Sequence, residues 1–314
     1  MPSFTASAPG KVILLGEHAV VYGQPAIAIP VTQVRARATL TPIISGRPGE
    51  VQILAPDIGL DSLWEHLAPD NPIRAAMTAV KSALGIDHVP ACTIKVSSTI
   101  PIASGLGSGA AVSVAIIRAF AGFLGNPLLD EQVSALAFEV EKIHHGTPSG
   151  IDNTVVTYAK PVYFVQGKTI ETFGVPQPFT ILVGDTGLPA PTKESVGDVR
   201  AAWQADPQPY NRLFAAIGSI AKTARQAIES GHPDWLGPLM DENHELLCEL
   251  DVSSSELDNL VHAAKQAGAL GAKLSGGGRG GNMISLVTAD HVQAVTSSLM
   301  GAGAARVIMT EIGT

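Results

Sequence analysis

Three loops rich in glycine and other small residues constrain the fold of this chain most strongly. Their sequences are APGKVILLGEHAVVYG at 8–23, PIASGLGSGAA at 101–111 and KLSGGGRGGN at 273–282. Glycine lets backbone N–H groups converge on one point, and a helix that begins at such a loop adds the positive end of its dipole. Such loops are typical of proteins that bind phosphate through the backbone. One of them alone is as often a tight turn, so the phosphate interpretation needs all three.

Composition limits where an anion can bind. Of the 314 residues, 46% are hydrophobic and 15% are charged, and the net charge is −8. Soluble domains usually carry about 25% charged residues. The apolar content excludes a disordered chain, and the negative net charge argues against a broad basic surface for nucleic acid. The length predicts two domains of roughly 100 to 200 residues each. An anion must therefore bind locally, at the loops.

Cysteine usage and apolar segments predict a reduced cytoplasmic protein. Cys92 and Cys248 are too few and too far apart for a CxxC metal site or a disulfide framework. Near the N-terminus only the short run 12–15 is apolar, which does not resemble a signal peptide. The most apolar stretch, 110–124, contains Arg118 and is shorter than the ~20 residues that cross a bilayer. We expect neither a membrane nor a nucleic acid as a partner.

Hydrophobic periodicity predicts the elements of the first 180 residues. Strands are expected at 4–15, 26–40, 93–96, 155–158, 162–165 and 179–183. Helical spacing predicts a helix within 58–84, one directly after the second glycine-rich loop, and one from Asp130 to Gly146. The second loop therefore opens onto a helix N-terminus.

The remainder of the chain alternates between helices and strands. Prolines around residue 180 predict a domain junction there, with domains at 1–180 and 181–314. Helices are expected at 210–229, 236–250 and 255–267, strands at 271–275, 283–287 and 305–311, and a further helix between the last two strands. This interleaving favours an α+β layered sandwich.

Known nucleotide-binding patterns are weak or absent. The pattern G-x-G-x-x-G/A occurs twice, at Gly105, Gly107 and Ala110 and at Gly276, Gly278 and Gly281. A dinucleotide-binding fold would follow it with an acidic residue about 20 positions on, at the end of a strand. Asp130 stands at that distance but is expected to begin a helix. The Walker pattern and the protein-kinase signatures are missing. A dinucleotide-dependent oxidoreductase remains the alternative from another class.

The loops, taken in order, resemble those of the GHMP kinases, the family of galactokinase, homoserine kinase, mevalonate kinase and phosphomevalonate kinase. PGKVILLGEHAVVYG is most similar to the mevalonate kinase version. HGTPSGIDNTV at 145–155, DTGLPAPTKESVGDVR at 185–200 and NHELLCELDVS at 243–253 are similar to that version too. The resemblance covers nearly the whole chain. It implies a two-domain α+β fold, in which a ribosomal protein S5 domain 2-like N-terminal domain precedes a ferredoxin-like α/β sandwich.

The resemblance also implies an activity. Mevalonate kinases transfer the γ-phosphate of ATP to the 5-hydroxyl of mevalonate, with Mg²⁺, in isoprenoid biosynthesis. The alternative within the family is another small-molecule kinase such as phosphomevalonate kinase. A catalytically inactive binding module is disfavoured by the joint presence of Lys11, Ser108, Glu141 and Asp152. The sequence leaves the number of assembled chains open, with a homodimer as one option.

Two catalytic residues and one metal site follow from the resemblance. Asp152 matches the family's carboxylate near the hydroxyl proton, and Lys11 matches the lysine that pairs with it, keeps it ionised and stabilises the alkoxide. Without the resemblance, Asp152 reads as an Asx-turn residue in a loop and Lys11 as an exposed lysine. Glu141, rather than its neighbour Glu139, matches the magnesium-ligand glutamate, with the Ser108 hydroxyl as second ligand.

The residues expected at ATP lie in the second and third loops. They are Pro101, Ser104, Gly105, Leu106, Gly107, Ser108, Gly109, Ala110, Ala111, Gly276, Gly277, Gly278 and Arg279. Family members usually read GLGSSAA and GAGGGG there, so Gly109 replaces a serine and Arg279 replaces a glycine. We expect Arg279 to contact a phosphate; the alternative is an arginine that points into solvent.

Four residues are expected on the substrate side. They are Glu17, His18, Thr192 and Lys193. The resemblance implies that His18 hydrogen-bonds mevalonate and that Lys193 approaches its carboxylate, although packing and solvation are the plain alternatives. His144, His145 and His244 lack zinc-ligand spacing and are interpreted as structural.

Overall fold

The computed structural model describes residues 2–101, 104–145 and 148–313 and divides them into two compact units. Unit 1 contains the residues up to Gly10, Val34–Pro101 and Gly107–Ala159. Unit 2 contains Lys11–Gln33, a short segment that ends at Leu106, and the chain from Lys160 onward. Each unit is thus assembled from three separate stretches. The proposed domains 1–180 and 181–314 divide the chain only once, and that division stays a prediction.

Two long strands run from one unit into the other. They are β1 (Phe4–Leu15) and β2 (Ala26–Pro42), and both confirm predicted strands. In unit 1, β5 (Cys92–Ser98) pairs antiparallel with the later part of β2. The strand β3 (Val51–Ala55) runs parallel to β5, and β4 (Leu60–Leu63) is antiparallel to β3.

The described residues of unit 1 also form four α-helices. They are α1 (Pro72–Ala83), α2 (Ser108–Phe123), α3 (Asp130–His145) and α4 (Ile151–Tyr158). The helix expected within 58–84 begins only at Pro72, where Asn71 caps it by accepting hydrogen bonds from two backbone N–H groups. The helix expected after the second glycine-rich loop is confirmed as α2. Helices α2, α3 and α4 pack against one another.

The strand predicted at 155–158 is wrong, because these residues form the second half of α4. The β-branched run Val155, Val156, Thr157 favours a strand locally. All three side chains are buried, however, and α4 packs against both α2 and α3. Burial against two helices outweighs the modest local preference.

Unit 2 is built on a four-stranded antiparallel sheet of order β11-β8-β10-β9. Its strands are β8 (Phe179–Asp185), β9 (Gly271–Ser275), β10 (Asn282–Val287) and β11 (Arg306–Ile312). Two short strands, β6 (Val162–Phe164) and β7 (Glu171–Thr172), lie outside this sheet. The strand β6 pairs antiparallel with the first residues of β2, and β7 pairs antiparallel with β6. The strands predicted at 162–165, 179–183, 271–275, 283–287 and 305–311 are confirmed.

In the part of unit 2 that the structure describes, five α-helices accompany the strands. They are α5 (Thr192–Ala205), α6 (Pro207–Glu229), α7 (Leu236–Glu249), α8 (Ser255–Gln266) and α9 (Val292–Gly301). The sequence patterns predicted all of them except α5. Helices α7, α8 and α9 pack on the sheet and α6 packs on α7, which encloses a core that includes Leu182, Phe214, Met283 and Leu299.

Within the described ranges, no helix combines the length and the apolar character that crossing a bilayer would require.

Candidate functional site

The third glycine-rich loop connects β9 to β10 and takes a backbone path that side chains would obstruct. Gly276, Gly278, Gly280 and Gly281 have φ values of 92°, 74°, 143° and 72°, in the region that favours glycine. A Cβ on Gly278 would also overlap the carbonyl oxygen of Val252. The loop is closely packed, since Gly278, Gly280 and Gly281 are buried and the N–H group of Gly281 donates to Leu188 O at 2.9 Å, while Gly276 is partly exposed.

The carbonyl of Gly277 is fixed by two side chains. Ser195 Oγ, in the first turns of α5, donates to Gly277 O at 2.8 Å, and His18 Nε2 lies 3.1 Å from the same oxygen. A Cβ on Gly277 would lie 2.5 Å from Thr192 Oγ1, so the start of α5 rests directly on the loop. Thr192 and Lys193 are exposed in the first turn of α5. The structure therefore brings His18, Thr192 and the third loop together within unit 2.

His18 is held as a neutral imidazole. His18 is 5% exposed, and this burial lowers its pKa from 6.5 to about 4. The positive charges of Arg279 and Lys273 lower the pKa further. Because Gly277 O can only accept, Nε2 must carry the proton and Nδ1 must be the acceptor. Nδ1 is buried and has no hydrogen-bond partner among the described residues. The geometry thus offers one acceptor to a hydroxyl or N–H group of a ligand.

A buried ion pair lies next to His18. Lys273 on β9 pairs through Nζ with Glu17 Oε1 and also donates to the carbonyl of Leu274. Burial lowers the pKa of Lys273, while Glu17 acts in the opposite direction. Sequence reasoning missed Lys273. The signal available in the sequence was that Lys273 is the one charged residue in the segment GAKLS. The structure shows that all five residues of this strand are buried.

The second loop contributes its first half to unit 2. The backbone N–H of Lys11 donates to Leu106 O at 2.9 Å, and Asn282 Nδ2 donates to Ser104 O. These two bonds hold the segment from Ser104 to Leu106 beside β1 and β10. Gly105 has φ 78° and is exposed, so its backbone is open to solvent. Lys11 itself is 8% exposed.

The other half of that loop begins a helix in unit 1. Ser108 is the first residue of α2, directly after Gly107 with φ 70°. Gly109, exposed in the same turn, has room for a side chain because a Cβ there would meet nothing within 4 Å. Ala110 and Ala111 are buried. The second loop therefore opens onto a helix N-terminus as predicted, while the binding of an anion there stays a prediction.

Asp152 and Glu141 lie on helices next to α2. Asp152 belongs to the first turn of α4, which corrects the expectation that it lies in a loop. The first turn of a helix is a favourable position for a negatively charged side chain, because it lies at the positive end of the helix dipole. Asn153 Nδ2 donates to Ser134 Oγ at 2.9 Å, and Arg118 Nη2 donates to Thr157 O at 2.7 Å. These bonds fasten α4 to α3 and α2.

The two glutamates of α3 differ in their surroundings. Glu141 is 9% exposed, in the last turns of the helix. Glu139 is exposed and pairs with Lys142 at 2.7 Å. The side chains of His144 and His145, and residues 146–147, lie outside the described residues, so the structural interpretation of the two histidines stays a prediction.

Comparison with known proteins identifies the family. The model described as "GHMP kinases N terminal domain" matches residues 71–160, and "GHMP kinases C terminal" matches 224–305. The chain belongs to the GHMP kinases. A protein named mevalonate kinase from Pyrococcus horikoshii is 36% identical, with 95% of this chain and 92% of that protein covered.

Solved structures agree with this assignment. The crystal structure of the L. major mevalonate kinase in complex with R-mevalonate is 31% identical, with a TM-score of 0.83 and coverage of 98% of this chain and 95% of that one. The Methanococcus jannaschii mevalonate kinase is 26% identical, with a TM-score of 0.83 and coverage of 98% and 96%. The two-domain α+β GHMP kinase fold expected from the sequence is confirmed. The family favours the kinase over the dinucleotide-dependent alternative.

Arg279 departs from the usual GHMP kinase loop and is engaged within unit 2. Its guanidinium pairs with Asp198 on α5, and its Nη2 and Nε donate to Asp251 O at 3.1 and 3.3 Å. Its backbone N–H donates to Val252 O at 2.9 Å. The side chain therefore does not simply point into solvent. The expected contact with a phosphate stays a prediction.

One further cluster of this GHMP kinase joins α7 and α8. His244 Nε2 lies 3.8 Å from Cys248 Sγ and 3.4 Å from Asp258 Oδ1, a grouping that resembles a metal site. The backbone N–H of Leu274 donates to His244 Nδ1 at 3.4 Å, so Nε2 carries the proton in the neutral ring. A metal-bound Nε2 needs the opposite arrangement, with Nδ1 as the donor. The hydrogen bonds thus favour a structural role for His244.

Proposed function

We propose that this GHMP kinase is a mevalonate kinase, which transfers the γ-phosphate of ATP to the 5-hydroxyl of mevalonate. The observation that carries the proposal is the likeness, at 36% identity over 95% of the chain, to a relative named mevalonate kinase. The related L. major structure is described as a complex with R-mevalonate. The same proposal assigns ATP as phosphate donor.

The phosphate-binding role falls to the backbone of the second and third loops. The residues expected there keep the glycine conformations that such binding needs, at Gly105, Gly107, Gly276 and Gly278. The N-terminus of α2, at Ser108, adds the positive end of its dipole. Phosphoryl transfer depends mostly on positioning and on charge stabilisation, which preorganised N–H groups supply.

The side chains expected at the metal site carry donor atoms that suit Mg²⁺. Glu141 offers a carboxylate and Ser108 a hydroxyl, and hard oxygen donors of this kind suit Mg²⁺. The near-complete burial of Glu141 at the end of α3 is unusual for a glutamate that only meets solvent. We propose that these two residues hold Mg²⁺, which neutralises phosphate charge when it is bound.

Asp152, Lys11 and His18 act on the substrate alcohol in this proposal. The Asp152 carboxylate accepts or orients the hydroxyl proton as the new O–P bond forms and the bond to the ADP oxygen breaks. The Lys11 ammonium stabilises the developing alkoxide. His18 Nδ1, which has no partner among the described residues, accepts a hydrogen bond from a mevalonate hydroxyl. Thr192 and Lys193, exposed in the first turn of α5, and Glu17, paired with Lys273, complete the proposed substrate side.

The test combines substrate choice with one substitution. Production of ADP is measured with mevalonate, phosphomevalonate and galactose as acceptors, and we expect turnover with mevalonate. Asp152→Asn should abolish turnover while binding of a fluorescent ATP analogue survives. Glu139→Gln, an exposed position on α3, is the matched control and should keep full activity.

Two results would contradict the proposal. Turnover with phosphomevalonate alone would support the alternative within the family. Substantial residual kcat in Asp152→Asn would show that this carboxylate is not essential to the chemistry.

A homodimer and a cytoplasmic location stay predictions, and light scattering in solution decides the first of them.

A further inference from the structure

Position 279 carries a side chain where the backbone favours glycine. Arg279 has φ 57°, and its neighbours Gly278 and Gly280 also have positive φ values. A left-handed conformation is unfavourable for a residue with a Cβ, and such residues persist where surrounding contacts hold them. We therefore expect specific contacts to hold Arg279 in this left-handed conformation.

Those contacts reach two other segments of unit 2. The guanidinium donates twice to Asp251 O, in the turn between α7 and α8, and pairs with the Asp198 carboxylate on α5. Asp251 also has a left-handed backbone, with φ 58°, and its Oδ2 lies 3.9 Å from Nη2. The backbone N–H of Arg279 donates to Val252 O in the same turn. One residue thus joins three segments.

The loop already lies against the same two segments through its glycines. Gly278 approaches Val252 so closely that a Cβ would overlap its carbonyl oxygen, and Gly277 O accepts from Ser195 on α5. Glycines make such approaches possible but leave the backbone free to take other conformations. A side chain that fastens the loop to both segments removes that freedom.

We propose that Arg279 is a positioning residue, which through Asp198 and Asp251 O clamps the third glycine-rich loop in its phosphate-binding conformation. The guanidinium acts inside the protein, on the loop that binds ATP, and needs no contact with a phosphate. The proposal rests on the proposed function for the identity of the ligand. The ordering of the loop by Arg279 does not depend on the proposed function, because it can be measured in the protein without ligand.

Three variants and two measurements test the proposal. Asp198→Asn, Arg279→Ala and their double variant are compared by hydrogen exchange of peptides that cover 276–281 without ligand, and by steady-state kinetics. We expect each single variant to speed exchange in the loop and to raise the KM for ATP by roughly three- to ten-fold, in the lower part of the range of interaction energies between contacting residues. The kcat should change little. The double variant should be no worse than either single variant, because both break the same link.

A conservative variant and a control sharpen the comparison. Arg279→Lys keeps the charge but loses the planar fork that reaches Asp198 and Asp251 O together, so it should resemble Arg279→Ala. Glu229→Gln breaks a comparable exposed pair with Arg225 on α6, at 3.1 Å, and should change neither measurement.

Two outcomes would overturn the proposal. If Arg279→Ala raises the KM for ATP while Asp198→Asn leaves it and the exchange of the loop unchanged, the guanidinium contacts a phosphate directly. If neither single variant changes hydrogen exchange, the pair does not order the loop. Because the exchange measurement uses no substrate, it decides the clamp even if the protein phosphorylates an alcohol other than mevalonate.

Discussion

The buried pair between Lys273 and Glu17 gives a strong test of how unit 2 is stabilised. The side chains are 0% and 1% exposed, so neither charge has water as an alternative partner. Lys273→Met removes the only ion-pair partner that the described residues provide for Glu17 Oε1, and Glu17 Oε2 has no hydrogen-bond partner among them. The variant thus retains a buried carboxylate without its counter-charge.

The expected loss follows from that burial. Removing one member of a buried ion pair costs about 3–5 kcal/mol. In a unit of this size each kcal/mol lowers the melting temperature by about 2–4 °C, so Lys273→Met should lower it by roughly 6–20 °C. Replacing both members, as in Lys273→Met with Glu17→Leu, removes the stranded charge. The double variant should recover most of the loss.

Thermal and urea unfolding at pH 7, followed by circular dichroism, measure the effect. Lys265→Met is the control, because Lys265 pairs with Asp241 in the same unit with both side chains about one-third exposed. An exposed pair contributes about 0–1 kcal/mol, so this variant should unfold close to the wild type. Equal shifts for Lys273→Met and Lys265→Met would refute the reasoning.

Glu17→Gln tests the same pair from the other side. Burial lowers the pKa of Lys273, and without Glu17 nothing among the described ion pairs opposes that effect. The folded state of the variant then binds fewer protons than the unfolded state. Its stability should therefore rise as the pH increases toward about 10.4, the pKa of an unfolded lysine. A variant whose stability is flat over this range would contradict the assignment.

Two further predictions concern His18 and the glycines. The folded-state pKa of His18 is about 4 against 6.5 unfolded, so its contribution is complete above pH 6.5 and is lost as the pH falls toward 4. Urea unfolding should show the wild type losing about 3 kcal/mol more than His18→Asn over this interval, whereas equal losses would contradict the burial. Gly278→Ala should destabilise by about 1–3 kcal/mol because of its clash and positive φ, whereas Gly109→Ala, in an open helical position, should stabilise by about 0.5–1 kcal/mol. Thermal unfolding of both variants checks the contrast, and similar shifts would count against it.

Local patterns in the sequence predicted the parts of the fold that depend on local forces. The glycine-rich loops, the helix that begins at Ser108 and the long strand at 26–42 follow from backbone freedom and from hydrophobic period. These features also place most of the proposed ATP-binding residues. They were predictable because each is encoded within a few neighbouring residues.

The features that escaped prediction depend on distant partners. The run at 155–157 has strand preference but is helical, because it packs against two helices. Lys273 and Glu17 are 256 residues apart, and Arg279 and Asp198 are 81 apart, so no local pattern indicates that either pair forms. The single charge in the apolar strand GAKLS marks Lys273 as unusual, but no local signal identifies the partner that a buried lysine needs.

These pairs also explain how an acidic chain provides an anion site. Next to the third loop, Lys273 is neutralised by Glu17, Arg279 is paired with Asp198, and His18 is neutral at pH 7. These ion pairs leave little unpaired positive charge on the side chains named here, so in the proposed ATP site we expect the attraction for phosphate to come mainly from backbone N–H groups and from Mg²⁺. A side-chain substitution cannot remove a backbone donor, but an added Cβ can displace it. Alanine in place of a loop glycine such as Gly278 should consequently weaken ATP binding more than the roughly three- to ten-fold change in KM expected for the Arg279 and Asp198 variants.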